Sequence, residues 1–506
     1  MLEDLASGLA AAFTLANVGW CLAGALIGTV IGMLPGVGPV AAIAMLLPAM
    51  HALDATPALI LLAAVYYGAQ YGGSTAASLM AEADMHAVDN DDADARAARS
   101  GAAIAVASLG SFAAGCVATL AIALAAGPLL ELAAALAPAD VFALMALVLV
   151  ASMVLAPGSL VKAGGMILVG LLLGQLDHDV STGAVHLAVV LPAASHGTVF
   201  IGLAMGVFVF GAILARLVPR ATPPAPPAAP SAPIAPPAPS LARLRPTREA
   251  LARVGPPVLR GTVLGTLLGV LPGRGPRLAA VLAERLERRL ARGHAPAEGL
   301  PIDAATGPEA AHHAGAQSSL VPLLVLGTPS NAVTAMMAGA LALKGLAPGP
   351  RLAAADAALA WAVIASMWVG NALLLALNLP LVGLWKRLLV VPYHILFPAL
   401  VAVCCVGLYA MAGNPVDVWV GAFFGFVGYV LIRLGCEPAP LLLAFVLGPL
   451  MEEDVRQALA QSQGEWSVFV THPISAALLF ACAATLLSVW LPSIRKLRER
   501  TFRERS

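Results

Sequence analysis

Long apolar runs recur along the whole chain, and short polar or glycine- and proline-rich segments separate them. The runs occupy residues 102–126, 141–155, 203–217, 357–377, 397–411, 418–432 and 474–491. A helix needs about 20 predominantly apolar residues to cross a bilayer. We therefore predict an all-α polytopic membrane protein with about 10–13 membrane elements, several of them short or kinked.

A glycine–proline element interrupts this pattern twice. It reads GALIGTVIGMLPGVGP from Gly24 and GTVLGTLLGVLPGRGP from Gly261, and all seven glycine and proline positions keep their register. Glycine at every fourth position lets a second helix approach closely, and Pro-Gly-x-Gly-Pro cannot continue a helix. We predict two homologous repeats whose broken or re-entrant helices meet near the membrane midplane, where paired interruptions mark a transporter's binding site. Two purely structural kinks are the alternative.

The second copy has too few residues before its break to span the membrane. Residues 260–271 form about 18 Å of helix, whereas the hydrocarbon core is about 30 Å thick. A basic run, ERLERRLAR at 284–292, follows soon after the break. We therefore predict a re-entrant hairpin with PGRGP at its tip, where Arg274 and Arg277 must face water or an anion. Whether the repeats are inverted or parallel stays open.

Each break is followed by a polar segment within apolar surroundings, YYGAQYGGST at 66–75 and LGTPSNAVT at 326–334. Each segment combines helix-breaking residues with small hydroxyl and amide side chains, so we expect it to interrupt a helix. Free backbone carbonyls suit an alkali cation, while helix N-termini and hydroxyl groups suit a carboxylate. For any single Ser or Thr, a hydrogen bond back to the preceding helical turn is the alternative. The grouping nevertheless points to a substrate or ion site.

The segment GPEAAHH places Glu309, His312 and His313 on one helical face. Such a face could contact an ion or substrate, relay protons or ligate a metal. A solvated helix start is the plain alternative. Residues 82–94 carry several carboxylates and one histidine, which is typical of a solvated loop.

Charge and proline divide the chain. Residues 219–257 contain a tract rich in proline and alanine, and we expect this segment to be extended or disordered. Arginines flank the tract and recur in the C-terminal tail. Since Arg and Lys are enriched on the cytoplasmic side, both segments are predicted to be cytoplasmic, although basic runs can also bind membrane lipid. The predicted units are residues 1–218 as the first transmembrane repeat, 219–257 as a cytoplasmic linker, 258–494 as the second repeat and 495–506 as a basic tail.

Composition narrows the function. The net charge is zero, which argues against a nucleic acid partner, and 60% of the 506 residues are hydrophobic. The six cysteines lack a metal-ligand or disulfide spacing. The N-terminus lacks the basic region of a signal peptide, so the first apolar segment is expected to stay in the membrane. With no nucleophile elbow, phosphate loop or zinc helix, we predict no enzyme activity, no metal and no cofactor.

The chain resembles the large membrane subunit of the tripartite tricarboxylate transporters, the TctA family. Five blocks carry the resemblance: GTVIGMLPGVGP, YYGAQYGGST, GVLPGRGP, GPEAAHHAGAQSSLVPLLVLGTPSNAVTAMMAGAL and DVWVGAFFGFVGYVLIRLGCEPAPLLLAFVLGPLMEEDVRQAL. It implies a secondary transporter of the bacterial inner membrane, driven by Na⁺ or H⁺. The implied partners are a small four-helix membrane subunit and a periplasmic solute-binding protein.

The chain departs from the family pattern at three places beside the implied site. An Asn-x-Pro-Gly element becomes Ala81-Glu82-Ala83-Asp84, an Asn-Asn pair becomes His312-His313, and Ile-Pro-Gly-Ser becomes Thr328-Pro329-Ser330-Asn331. The first change removes one helix break, so the half-sites are expected to be asymmetric. Histidine for asparagine permits titration near neutral pH, which favours H⁺ coupling.

We therefore predict a permease subunit that imports a tricarboxylate or another small carboxylate with a coupling cation. The predicted substrate- or ion-binding residues are Gly36, Gly38, Gly72, Gly73, Ser74, Thr75, Gly273, Gly275, Gly327, Thr328, Ser330, Asn331 and Thr334, with Glu309, His312 and His313 available for coupling. A transport-inactive membrane assembly or lipid-handling protein is the first alternative. A membrane metalloenzyme that uses Glu309 and the histidine pair is the second.

Overall fold

A computed structural model describes residues 2–34, 37–50, 52–86, 93–177, 197–218, 248–290, 302–349, 357–389 and 391–488. All the regular elements in these ranges are helices, as predicted. Gly36, most of the linker (219–247) and the basic tail lie outside the described residues.

The described part of the first half contains eight helices. They are α1 (Leu2–Ala12), α2 (Leu15–Met33), α3 (Pro39–Met50), α4 (Ala55–His86), α5 (Ala93–Ala134), α6 (Pro138–Leu155), α7 (Leu160–Asp177) and α8 (Thr198–Leu217). Helix α8 contains one π-helical turn at Gly206–Phe210.

The second half continues with longer and shorter helices. They are α9 (Arg248–Leu268), α10 (Gly275–Leu290), α11 (Ile302–Ser318), α12 (Ala332–Ala342), α13 (Ala357–Asn378), α14 (Val382–Leu389), α15 (Tyr393–Ala412), α16 (Pro415–Arg433), α17 (Ala439–Gln461), α18 (Val468–Thr471) and α19 (Pro473–Ser488).

Seven helices in the described part of the chain are long and apolar enough to cross a membrane. These spans are Leu15–Met33, Ile104–Ala134, Pro138–Leu155, Thr198–Leu217, Ala358–Asn378, His394–Ala412 and Pro415–Arg433. Four shorter apolar helices accompany them: Pro39–Met50, Leu160–Gln175, Ala332–Ala342 and Pro473–Ser488. The protein is therefore a multi-pass membrane protein, and the long and short apolar helices together fall in the predicted range.

Both glycine–proline elements break a helix, as predicted. Helix α2 ends at Met33 and α3 begins at Pro39, whereas α9 ends at Leu268 and α10 begins at Gly275. In the second break Gly273 has φ +90°, a left-handed conformation that glycine adopts without a steric penalty. The prolines contribute no amide hydrogen, so the helical hydrogen-bond pattern cannot pass through either element.

The glycine stripes pack two pairs of helices at backbone contact. A Cβ atom at Gly24, Gly28 or Gly32 would lie 2.5, 2.4 or 2.2 Å from a carbonyl oxygen of α4, at Leu61, Val65 or Ala69. A Cβ atom at Gly261, Gly265 or Gly269 would lie 2.0, 2.3 or 2.3 Å from one of α11, at Gly307, Ala311 or Gly315. Because the order of contacts is the same along both helices, α2 runs parallel to α4 and α9 runs parallel to α11.

Helices α9 and α10 form a hairpin whose tip is the PGRGP turn. At its base Arg260 Nε and Nη2 donate to Glu287 at 2.7 and 2.8 Å, and the Glu287 side chain is 3% exposed. The chain thus returns at Glu287 to the level at which it passed Arg260.

The start of this hairpin corrects one prediction. Residues 248–257 were predicted to belong to the extended linker, but α9 already begins at Arg248 and passes through Pro256 and Pro257. The good helix formers of REALAR extend the helix upstream of the two prolines. Helix α9 is therefore 21 residues long, or about 31 Å, and its length alone does not prevent it from spanning a membrane.

The segment YYGAQYGGST corrects a second prediction, because it does not interrupt a helix. It lies within α4, which runs for 32 residues. Cβ atoms at Gly68 and Gly72 would lie 2.8 and 2.3 Å from the carbonyl oxygens of Ala25 and Thr29 in α2. These glycines therefore serve close helix packing rather than a break. The predicted solvated loop at 82–94 also belongs partly to helices: residues 82–86 end α4, residues 93–94 begin α5, and 87–92 lie outside the described residues.

Candidate functional site

The second polar segment, LGTPSNAVT, breaks the chain between α11 and α12. After Ser318 comes a π-helical turn at Pro322–Leu326, then Gly327 at φ +73° and three residues without regular structure. A Cβ atom at Gly327 would lie 2.6 Å from the Pro348 carbonyl oxygen. Only glycine tolerates both the left-handed backbone and this contact, so the sequence itself fixes the break.

Asn331 and Thr334 start α12. The Asn331 carboxamide oxygen accepts hydrogen bonds from the amides of Val333 (2.9 Å) and Thr334 (3.1 Å). The Thr334 hydroxyl oxygen accepts one from the Asn331 amide at 3.0 Å. This reciprocal pattern is a capping box, so both side chains have a structural task in addition to the predicted binding role.

The two motifs of the second half meet at Ser330. The Gly273 amide at the hairpin tip donates to the Ser330 carbonyl oxygen at 2.6 Å. The Ser330 hydroxyl donates to the Ser319 carbonyl oxygen at 3.0 Å. Residues more than fifty positions apart thus form one hydrogen-bonded unit, in which Ser319, Ser330 and Thr328 are buried.

Helix α4 completes this unit from the first half. The Tyr66 and Ser319 hydroxyl oxygens lie 3.3 Å apart, and Ser74 Oγ lies 3.4 Å from His313 Nε2. The Tyr71 and His313 rings have centroids 4.4 Å apart. As the residue number increases along α4 from Tyr66 to Ser74, the contacted residue number decreases from Ser319 to His313. The two helices therefore run antiparallel where they meet.

We call the resulting group of side chains the polar centre. Its members come from α4, from α11 and from the break that follows α11: Tyr66, Tyr71, Ser74, His313, Ser319 and Ser330. Ser74 is half-buried, and the other members are buried. A polar cluster in an apolar helical protein is expensive unless its groups are paired or bind something.

Thr328 is the one predicted site residue whose buried polar atom lacks a partner. Its side chain is fully buried, and Oγ1 makes no hydrogen bond to the described residues. It directly follows the left-handed Gly327, where helical hydrogen bonding has stopped. A buried hydroxyl without a partner is destabilising, so this hydroxyl is available to a ligand.

The remaining predicted residues have mixed placements. Thr75 is buried in α4. A Cβ atom at Gly73 would lie 3.8 Å from the Gly32 carbonyl oxygen. Gly275 closes the hairpin tip, because a Cβ atom there would lie 2.6 Å from the Leu268 carbonyl oxygen. Gly38 is exposed with open space around it, and the adjacent Val37 faces an apolar cavity beside Phe208. The described residues Val37 and Gly38 of the first break are therefore not part of the polar centre.

Glu309 and His312 lie at the edge of the polar centre. Glu309 is close enough to Tyr71, and Arg277 close enough to His312, for electrostatic interaction. The rings of His312 and His313 have centroids 6.1 Å apart. Within the described ranges, no three His, Cys, Asp or Glu side chains are grouped in a way that could hold a metal ion. The metalloenzyme alternative thus gains no geometric support.

Comparison with known proteins decides the family. The family model described as "Tripartite tricarboxylate transporter TctA family" matches residues 18–443. The chain belongs to the TctA family. An uncharacterised 52.8 kDa protein of the TAR-I ttuC' 3' region of Agrobacterium vitis is 43% identical over 514 residues, which cover 100% of this chain and 99% of the relative.

A second relative of this TctA protein covers part of the chain. It is an uncharacterised protein of the TAR-II ttuC' 3' region of Agrobacterium vitis, 50% identical over 212 residues, or 42% of this chain and 86% of the relative. No solved structure matches the chain. Family membership makes this a transporter-family protein, and it agrees with the resemblance found in the sequence.

Two of the three segments that we expect to depart from the family pattern lie in or beside the polar centre of this TctA protein. The third, Ala81-Glu82-Ala83-Asp84, continues α4, so no helix break is present there. His313 is part of the polar centre, and residues 328–331 form the break of the second half. One half thus contributes a continuous helix and the other a broken one.

Sequence reasoning missed a buried polar network beside the polar centre. Thr119 Oγ1 donates to Gln317 Oε1 at 2.5 Å, and Gln317 Nε2 donates to Asn371 Oδ1 at 2.6 Å. The three residues belong to α5, α11 and α13, and each is almost wholly buried. Asn371 within the apolar run of α13 was the available signal, since buried amides need partners.

The anion predicted for the hairpin tip is Glu437. Arg274 Nη2 lies 2.8 Å from Glu437 Oε1, with the two side chains 30% and 25% exposed. Glu437 belongs to the loop between α16 and α17 and was not predicted to take part. Its position after Gly435, at φ +69°, and before Pro438 marks a turn rather than a helix.

Proposed function

We propose that this TctA protein is the permease subunit of a secondary transporter that imports a tricarboxylate or another small carboxylate together with a coupling cation. It would work in the bacterial inner membrane with a small membrane subunit and a periplasmic solute-binding protein. Linker and C-terminal tail would face the cytoplasm, as their basic residues suggest.

The polar centre at the break between α11 and α12 carries this proposal. A helix break in a membrane protein is tolerated where it is buried in protein or lines a cavity. The break leaves the Thr328 hydroxyl without a partner and points the N-terminus of α12 at the same segment. Helix N-termini favour anionic groups and unwound carbonyls favour cations, which is the pair of ligands that carboxylate symport requires.

The directions of the helices support alternating access. Helices α4 and α11 each receive a glycine stripe, from α2 and α9, and they meet in opposite directions through Tyr66–Ser319 and Ser74–His313. Corresponding helices that run oppositely are expected for inverted repeats, which rock around a shared site. We therefore favour inverted over parallel repeats.

Two coupling ions fit the site. Carbonyl oxygens that have lost their helical partners favour Na⁺. His313 beside Ser74 and Tyr71 favours H⁺, because an imidazole can bind and release a proton. The coupling ion therefore has to be determined by experiment, and each candidate makes a different demand on the buffer.

The first experiment is uptake of a labelled carboxylate panel by cells that express this protein with its candidate partner subunits. Uptake is measured with and without sodium and at two pH values. We expect uptake that depends on this chain, with the buffer dependence naming the ion. No uptake across the panel, with all subunits present in the membrane, would contradict the proposal and favour the transport-inactive alternative.

Site variants then localise the function. We expect Ser74→Ala to reduce uptake, because Ser74 Oγ faces His313 Nε2; Ser467→Ala, at an exposed hydroxyl near Glu465, is the matched control. Asn331→Ala removes both the amide and the helix cap, whereas Asn331→Asp keeps the capping oxygen. Loss of uptake in Asn331→Ala that Asn331→Asp restores would assign this residue to capping rather than to binding.

A further inference from the structure

The hairpin tip holds a guanidinium next to the polar centre. Arg274 directly follows Gly273, whose amide is bonded to the Ser330 carbonyl oxygen at 2.6 Å. The backbone of the tip is thereby fixed against the break that contains Thr328 and Ser330. No helix carries Arg274, since the turn ends where α10 begins at Gly275.

A carboxylate already occupies this guanidinium. Arg274 Nη2 lies 2.8 Å from Glu437 Oε1. Arginine has five N–H donors in a planar fork that matches a carboxylate. The ion pair demonstrates that the tip has the geometry to bind a carboxylate group, with Glu437 as the group that is bound in this structure.

The exposure of the pair allows exchange. The Arg274 and Glu437 side chains are 30% and 25% exposed, in contrast to Glu287 at the base of the same hairpin, which is 3% exposed in its pair with Arg260. Partly exposed ion pairs add little net stability. A carboxylate that reaches the exposed side of this pair can therefore compete with Glu437.

The Glu437 loop is held independently of Arg274. Lys162 Nζ, at the start of α7, donates to the Leu434 carbonyl oxygen at 2.5 Å. The loop comprises residues 434–438 and links α16 to α17. Because Lys162 keeps the loop in place, release of Glu437 from Arg274 does not require the loop to detach.

We propose that Arg274 binds a carboxylate group of the transported substrate and that Glu437 occupies Arg274 until the substrate displaces it. This inference rests on the proposed function, since it requires a carboxylate substrate. It assigns substrate recognition to a side chain at the hairpin tip and gives the Glu437 loop the part of an internal competitor.

The test compares KM and maximal uptake rate for a transported carboxylate in wild type, Arg274→Gln, Glu437→Gln and the charge exchange Arg274→Glu/Glu437→Arg. Loss of an arginine–carboxylate hydrogen bond should raise KM by about tenfold or more in Arg274→Gln. Glu437→Gln should lower KM, because the competitor is gone. The charge exchange should not restore uptake, because the guanidinium has moved away from the tip.

A purely structural ion pair gives the opposite pattern. In that case Arg274→Gln and Glu437→Gln lower the amount or rate of transporter alike without changing KM, and the charge exchange restores it. Arg288→Gln is the matched control, since Arg288 pairs with Glu284 on an exposed face of α10. Its KM should equal that of wild type.

A second measurement keeps the test valid if a variant folds poorly. Native Cys436 is half-buried and adjacent to Glu437, so its maleimide labelling reports on the loop in protein whose other cysteines are replaced. A saturating carboxylate should change the labelling rate of Cys436 in the protein that keeps the native Arg274 and Glu437. The same carboxylate should leave the rate unchanged in Arg274→Lys/Glu437→Gln. An unchanged labelling rate in the protein with the native Arg274 and Glu437 would overturn the proposal.

The failures of the two proposals are distinguishable. If the protein with the native Arg274 takes up no carboxylate in the panel, the permease proposal fails and this inference fails with it. If that protein transports a carboxylate and Arg274→Gln keeps its KM, only the assignment of Arg274 is wrong.

Discussion

A single methyl group at Gly28 should separate two helices that touch through their backbones. A Cβ atom at this position would lie 2.4 Å from the Val65 carbonyl oxygen and 2.9 Å from the Ala69 amide nitrogen. Both atoms belong to the backbone of α4, so no side chain can rotate to make room. Gly28→Ala can be accommodated only if α2 and α4 move apart.

The magnitude follows from the distances. Ordinary contact begins at 3.4 Å, so the helices must separate by about 1 Å at this point, and a gap of 0.5–1 Å forfeits about a quarter to a half of the dispersion attraction of the neighbouring contacts. Overpacking of this kind destabilises proteins by about 1–3 kcal/mol. Alanine also improves helix propensity by about 1 kcal/mol.

Gly19→Ala supplies the matched control. Gly19 lies in the same helix, and a Cβ atom there would meet nothing within 4 Å. The gain in helix propensity is common to both variants. The difference between them therefore isolates the steric effect, about 1–3 kcal/mol.

Thermal unfolding in one detergent, at one heating rate, measures this difference. One kcal/mol shifts Tm by about 2–4 °C in domains of 150–250 residues, and the shift becomes smaller in longer chains. We expect Gly28→Ala to unfold a few degrees below Gly19→Ala. Gly265→Ala tests the same steric effect in α9, where Gly265 faces the Ala311 carbonyl oxygen.

Equal unfolding temperatures for Gly28→Ala and Gly19→Ala would refute this reasoning. They would mean that α2 and α4 are not in backbone contact at Gly28. A lower unfolding temperature for the α2 variant without one for the α9 variant would mean that the two glycine stripes differ in how closely they pack. Such a result would count against the equivalence of the two halves.

Two further predictions concern buried polar pairs. Arg260→Ala should lower the unfolding temperature, because it leaves Glu287, which is 3% exposed, without its partner. The cost should be below the about 3–5 kcal/mol of a fully buried pair, since the Arg260 side chain is 36% exposed. Adding Glu287→Gln should recover most of the loss, and a double variant as unstable as the single one would contradict the role of the pair. Gln317→Leu should destabilise the protein by about 1–3 kcal/mol for each group that loses its partner, since both Thr119 and Asn371 bond to Gln317. Thermal unfolding in detergent measures this loss against Gln457→Leu, at a half-buried position of α17 whose amide bonds to the exposed Glu453.

Much of the fold could be predicted from local chemistry. The apolar runs gave the membrane helices, because no other element satisfies its own backbone within a bilayer. The Pro-Gly-x-Gly-Pro elements gave both helix breaks, because proline lacks the amide hydrogen and glycine leaves the helical region. The glycine stripe gave the close packing of α2 and α9, although not their partners.

The same local reasoning failed where a residue has two uses. Gly68 and Gly72 suggested an interruption in YYGAQYGGST, yet they face the carbonyl oxygens of Ala25 and Thr29 and let α4 run straight. Glycine both breaks helices and permits their close approach. Only the presence of α2 against α4 decides between these uses.

The sequence by itself determined the class of the protein, its membrane helices, the two breaks and the family, because each depends on residues that are neighbours along the chain. Tertiary structure alone decided that Ser74 meets His313, that Gly273 meets Ser330 and that Arg274 finds Glu437. These pairs are separated by tens to hundreds of residues, and no periodicity records which distant groups meet. The polar centre exists only because helix packing brings these groups together, and their burial makes an unpaired polar group costly.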